Sequence, residues 1–311
     1  MNFRVLNFKT TLGRPSILTL VLALFLSSGC GTKAVPEPRY FPAAGLLDII
    51  NDFQRLSRND LYRFTIPKDV TGINIMKATL VRLADYEKKN PGRFSDIIDF
   101  NKAMAYERLR DYHRAIVYYR KVTDSNGPLS TQAEKNIKTL NSFDRILQKP
   151  LPTKDPFAYM KELDEKVAAW NQLIQQHEGT FYEYLARVEE EKIDRAKVTF
   201  VELNRYRLKD GNQLVILGYS QLVSKHRHSK NIYRYLVDFG DFYLRLAKEY
   251  SLQNDPEGLA FNPDTFDRLA NSALKLYTEV AQVDGILEKI EARGKIEALR
   301  GLMQKTRRLN R

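Results

Sequence analysis

Cysteine is almost absent from this chain, because Cys30 is the only one among 311 residues. A single cysteine cannot form an intramolecular disulfide, which excludes a small secreted domain held together by disulfides. Long hydrophobic runs are also lacking. The most apolar stretch, residues 17–26, has ten residues and is too short to span a bilayer. The chain as a whole is 43% hydrophobic and 28% charged, which is typical of a globular protein.

The first thirty residues have the composition of an export signal. Arg4, Lys9 and Arg14 precede the apolar stretch 17–26, and no acidic residue occurs before Glu37. The order Ser-Ser-Gly-Cys follows and ends at the only cysteine. A basic region, a short apolar region and small residues before a cleavage point are the parts of a secretory signal. Because an exported chain does not meet the genome, we expect no nucleic acid partner.

This terminus resembles the lipobox of bacterial lipoproteins, in which a dedicated peptidase cuts before a lipidated cysteine. The resemblance implies cleavage between Gly29 and Cys30, with palmitate and a diacylglycerol holding Cys30 to a membrane. Gly31 follows the cysteine where an aspartate would signal retention, so the resemblance also implies transfer to the periplasmic face of the outer membrane. Removal of residues 1–29 takes away three basic and no acidic residues, which lowers the formal charge from +12 to +9. The alternative is an ordinary signal peptide with an incidental cysteine.

Prolines divide the rest of the chain. Residues 30–42 contain three of them and are predicted to form a tether behind the lipidated cysteine. A helical region is predicted over 43–148. Residues 149–156, KPLPTKDP, again contain three prolines and are predicted to be a linker. A second helical region is predicted over 157–311.

Residues 96–129 show helical periodicity most clearly. Two apolar stripes at helical spacing flank a short joint at Arg110-Asp111, which predicts two helices folded back on each other. The first stripe consists of Ala103, Tyr106 and Leu109, and the second of Ala115, Ile116, Tyr119 and Val122.

This stretch resembles a tetratricopeptide repeat, whose period is about 34 residues. The C-terminal third repeats both stripes once. Gly240, Tyr243 and Leu246 have the spacing of the first stripe, and the second stripe is matched by Ala273, Leu274, Tyr277 and Val280. No strand-like alternation of useful length occurs. The resemblance therefore implies an all-α fold in which antiparallel helical hairpins stack as an α-solenoid.

Tetratricopeptide repeats bind partners on the helical face beside the packed one. By resemblance, that face should form a groove for a partner protein, although packing against a neighbouring helix is an alternative for Phe100. The predicted groove residues are Phe100, Met104, Glu107, Val237, Asp241 and Leu244.

The sequence contains no recognisable metal-binding or catalytic motif. Of the four histidines only His226 and His228 are close in sequence, and residues two apart on a helix point in nearly opposite directions. No nucleophile elbow or phosphate-binding loop occurs. We therefore predict no catalytic residue, no metal and no cofactor. The triplet Glu189–Glu191, beside Lys192 and Arg195, is predicted to be a solvated helix face.

Two basic clusters remain, at 225–230 and 305–311. They could contact phosphate-rich envelope polymers or lipid headgroups. Alternatively, they offset the dipoles of helices that end there. The leading expectation is an anchored scaffold for other envelope proteins, acting in outer-membrane assembly, secretion or pilus biogenesis. A binding module for an envelope polyanion is the alternative, and a cell-wall enzyme is a weaker one.

Overall fold

The computed structural model of the protein describes residues 41–60, 70–152 and 155–310. The predicted signal peptide, Cys30 and the tether up to residue 40 lie outside these residues. Within them the chain forms eleven α-helices and no strand, which confirms the all-α prediction. The helices are α1 (Phe41–Asp60), α2 (Val70–Lys89), α3 (Ser95–Arg108), α4 (Tyr112–Asp124), α5 (Ser130–Gln148), α6 (Pro156–Gln176), α7 (Phe181–Asn204), α8 (Gly211–Lys225), α9 (Ile232–Gln253), α10 (Pro263–Ala281) and α11 (Glu288–Leu309).

The chain divides into two compact units, and the boundary lies in the first turns of α1. The first unit, Met1–Gly45, is described only over 41–45, where α1 begins. The second unit, Leu46–Arg311, contains all the contacts discussed below. Within it, each helix from α2 to α11 packs on the next as a series of antiparallel hairpins.

The hairpin of α3 and α4 forms as its periodicity predicts. Ala103, Ala115 and Tyr119 are completely buried between the two helices. The chain reverses at Arg110, whose φ of 60° places it in the left-handed region that normally favours glycine. The Asp111 carboxylate then accepts a 3.1 Å hydrogen bond from the backbone N–H of Arg114 and caps α4.

The hairpin of α9 and α10 depends on a close approach at Gly240. A Cβ atom at this position would lie 2.6 Å from the ring of Tyr277, so only glycine fits without displacement. Asn262 caps α10, because its side-chain oxygen accepts hydrogen bonds from the backbone N–H groups of Asp264 and Thr265.

The proline-rich segment 149–156 joins two helices that contribute to the same core. Phe143 of α5 and Trp170 of α6 are fully buried and make an edge-to-face contact at 5.0 Å. Tyr112 of α4 also makes an edge-to-face contact with the Phe143 ring, at 5.5 Å. Residues on both sides of the predicted linker are therefore part of one hydrophobic cluster.

Helix α7 connects this cluster to the rest of the second unit. It is 24 residues long. Leu185 and Ala186, near its start, pack in the cluster formed with α3 to α6. Val198, near its end, packs instead with α8 and α9. The middle of α7 thus lies where two hydrophobic clusters meet.

Candidate functional site

Three consecutive glutamates are buried in the middle of α7. Glu189, Glu190 and Glu191, the glutamate triplet, are only 3%, 2% and 6% exposed. The prediction of a solvated face is therefore wrong. Successive residues of a helix point about 100° apart, so all three can be buried only where other elements surround most of the helix.

Glu189 joins α7 to the α3–α4 hairpin. Its carboxylate accepts a 3.2 Å hydrogen bond from the Tyr112 hydroxyl and lies 3.9 Å from Nε of Arg110. Lys192, one turn along α7, donates to the same carboxylate at 2.7 Å. Burial raises the pKa of the Tyr112 hydroxyl, and the negative charge of Glu189 raises it further. Tyr112 is therefore a neutral hydrogen-bond donor.

Glu190 joins α7 to the end of α8. Lys225 lies 2.5 Å from Glu190 and 2.6 Å from Asp194, and Nε2 of His226 lies 3.0 Å from Asp194. Burial alone would raise the pKa of Asp194, but the hydrogen bonds from His226 and Lys225 outweigh it and hold the pKa below its usual value. The start of the basic cluster 225–230 is therefore engaged inside the fold.

Glu191 joins α7 to the α8–α9 connection. One of its oxygens accepts three hydrogen bonds, from Ser229 at 2.5 Å, Asn231 at 2.9 Å and the Tyr235 hydroxyl at 2.7 Å. Each glutamate of the triplet thus serves a different neighbouring element. Buried carboxylates supplied with donors in this way hold elements together.

Glu107 was predicted to line a partner groove, but its side chain is 4% exposed. The Tyr182 hydroxyl, at the start of α7, donates to its carboxyl at 2.7 Å. The Tyr119 hydroxyl lies in the same pocket without a hydrogen bond of good geometry. Burial raises the pKa of Glu107 to about 7, and the bond from Tyr182 offsets only part of that effect. A buried carboxyl cannot meet a partner on the surface, so this part of the groove prediction is corrected.

The other predicted groove residues also make internal contacts. Val237 is completely buried in the core of α9, α10 and α11. Phe100 is half-buried, with its ring edge-to-face with Tyr119 at 5.2 Å. Asp241 accepts hydrogen bonds of 2.6 Å from both the Tyr277 hydroxyl and Lys295.

Met104 and Leu244 are half-buried and pack against the hydrophobic clusters. The predicted face is thus covered largely by neighbouring helices. For Phe100 this is the alternative to a groove, namely packing against a neighbouring helix. Val237, like Glu107, is not available to a surface partner, and that any of the other four residues meets one stays a prediction.

The second basic cluster lies beside an open groove. A cavity of about 590 Å³ runs between α10 and the C-terminal half of α11, and we call it the arginine groove. Its lining residues are Asn271, Leu274, Arg300, Met303, Gln304, Arg307 and Arg308. A neighbouring cavity of about 450 Å³ shares Asn271 and Leu274 and continues along α10 towards Gln282.

Over 41–60, 70–152 and 155–310, no group of three or more His, Cys, Asp or Glu side chains is arranged to hold a metal ion. No helix in the same ranges is long and apolar enough to cross a membrane.

Known protein families and curated proteins offer no match to this chain.

Proposed function

We propose that this protein is a lipid-anchored scaffold on the periplasmic face of the outer membrane, where it binds other proteins of the cell envelope. The N-terminal sequence supports the anchor, because the only cysteine follows an apolar stretch and small residues. Assembly, secretion or pilus biogenesis are the processes that such a scaffold would serve.

The observation that carries the scaffold role is the run of helical hairpins. From α3 to α11, each helix packs on the next. Glu189, Glu191 and Asp241 accept hydrogen bonds from neighbouring helices. Glu190 and Asp194 form ion pairs with Lys225 at the end of α8. These ties fix the helices relative to one another within the second unit. A rigid set of helix faces can present a binding surface with little ordering cost on association.

The anchor and the scaffold role are tested together in cells. We expect wild-type protein to take up a palmitate analogue, and Cys30→Ala to remain an unlabelled, uncleaved precursor. We also expect crosslinking to capture envelope proteins that stay bound at high salt. Cleavage elsewhere without label would contradict the anchor. Salt-sensitive capture of a polymer would favour the polyanion module instead, because salt screens exposed charges. Turnover of a cell-wall substrate would favour an enzyme.

A further inference from the structure

We propose that the arginine groove binds a ligand that presents several phosphate groups. This goes beyond the scaffold role and does not depend on it. The groove has the size of a small-ligand site, since such sites commonly measure about 300–1,000 Å³. Its three cations are all arginines.

The spacing of the arginines suits a ligand with more than one anionic group. Arg300 and Arg307 are seven residues apart, so they lie on the same face of α11, separated by about 10 Å along the helix axis. Arg308 follows directly. One phosphate cannot contact both ends of this row, whereas a chain or cluster of phosphates can.

The positive charge of the groove is only partly compensated. Arg300 lies 2.9 Å from Glu297, but the two side chains are 62% and 73% exposed, and an exposed pair of this kind is worth at most about 1 kcal/mol. Arg307 lies 2.9 Å from Asp267. Arg308 has no ion pair with any residue that the structure describes. No acidic residue occurs in the sequence from 298 to 311.

Helix capping does not account for the whole cluster. Cations in the last turn of a helix offset its dipole, which explains Arg307 and Arg308. Arg300 lies two turns earlier, outside the range of that effect. The end of α11 is also tied down independently, because the Asn310 amide donates a 2.8 Å hydrogen bond to the carbonyl of Pro256.

The chemistry of the lining favours phosphate. A guanidinium group is planar and presents paired N–H donors that match two phosphate oxygens. The side-chain amides of Asn271 and Gln304 supply further donors. Because each exposed contact is weak, measurable affinity requires a ligand that engages several arginines at once. Free polyphosphate and clustered anionic lipid headgroups both have this chemistry.

The test uses the full chain in neutral detergent micelles and inorganic tripolyphosphate as the probe. We expect binding by calorimetry, and protection of residues 298–310 from hydrogen exchange when tripolyphosphate is present. The variant Arg300→Glu with Arg308→Glu should weaken binding about tenfold or more, because two of the three contacts become repulsive. The charge-matched control is Arg120→Glu with Arg145→Glu, two exposed arginines on α4 and α5. It should bind within about twofold of wild type.

Three results would overturn the proposal. They are an equal loss of affinity in the control, equal binding of a polyglutamate of matched charge, and protection that does not include 298–310. The hydrogen-exchange measurement uses the wild-type protein, so it remains decisive if the double variant fails to fold. Competition by micelles doped with phosphatidylglycerol distinguishes lipid headgroups from free polyphosphate as the ligand. Displacement of tripolyphosphate by these micelles supports lipid headgroups as ligands, and its absence supports a soluble polyphosphate.

Discussion

The hydroxyl of Tyr182 donates a 2.7 Å hydrogen bond to the buried carboxyl of Glu107, 75 residues earlier in the chain. This contact joins the end of α3 to the start of α7. Burial raises the pKa of Glu107 to about 7, against an ordinary value of 4.5. The carboxyl therefore prefers to be neutral in the folded protein, and stability should depend on pH through this group.

Replacing Glu107 with glutamine should remove that pH dependence. Between pH 4.5 and 7 the unfolded chain loses the Glu107 proton while the folded protein keeps it, so rising pH favours unfolding of the wild type. Ionisation of Glu107 lowers the free energy of unfolding by about 3 kcal/mol in total, and this loss is constant well above pH 7. Urea unfolding should therefore show Glu107→Gln close to wild type at pH 4.5 and more stable at pH 7. The exposed substitution Glu279→Gln is the control, and a Glu107→Gln difference that does not change with pH would contradict the pKa.

Replacing Glu191 with alanine should strongly destabilise the protein. Three donors, on Ser229, Asn231 and Tyr235, would lose their acceptor together. The expected cost is about 2–4 kcal/mol, because unsatisfied buried polar groups are expensive. Glu134→Ala, on an exposed face of α5, should change stability by less than about 0.5 kcal/mol. Equal midpoints of chemical unfolding for the two variants would support a solvated face after all.

Two glycine-to-alanine substitutions should have opposite effects on stability. At Gly240 the new methyl group would lie 2.6 Å from the Tyr277 ring, and overpacking of this kind costs about 1–3 kcal/mol. At Gly301, within α11, a Cβ atom meets nothing within 4 Å. Alanine there should stabilise the protein by about 0.5–1 kcal/mol through its higher helix propensity. Thermal unfolding of both variants measures the difference, and a shift of the same sign in both would argue against the α9–α10 packing.

The joint between α3 and α4 can be tested by removing the same side chain in two ways. Arg110→Gly and Arg110→Ala both delete the 3.9 Å contact with Glu189. They differ in backbone preference, because φ is 60° and an L-residue is disfavoured there by about 1 kcal/mol. The glycine variant should therefore be the more stable of the two by about that amount. An alanine variant of equal or higher stability would mean that residue 110 does not adopt the left-handed conformation.

The hairpins could be predicted from the sequence because their signal is local. Ala115, Tyr119 and Val122 recur at helical spacing, and all three are completely buried in the structure. Burial of the glutamate triplet could not be predicted in this way. Consecutive charges are usually solvated, and their donors Tyr112 and Tyr235 lie 77 and 44 residues away in sequence.

The predicted partner groove failed at Glu107 for the same reason. Periodicity identifies the face beside the packed one, but it does not show which distant helix covers that face. Here Tyr182 of α7 reaches the carboxyl across 75 residues. The unusually large number of tyrosines, 17 against one tryptophan, was the available hint, since a buried tyrosine hydroxyl needs a polar partner.

Site-specific photocrosslinking in cells tests the scaffold role most directly. A photoreactive residue is placed in turn at four exposed apolar positions on different helices, Val81, Val117, Leu217 and Ile290. The same positions in the Cys30→Ala chain, and unirradiated cells, are the controls. We predict that at least one position captures a specific envelope protein, and that capture is lost when Cys30 is replaced because the chain no longer reaches its membrane. No specific capture at any of the four positions by an anchored protein, or capture that is unchanged in Cys30→Ala, would contradict a lipid-anchored scaffold.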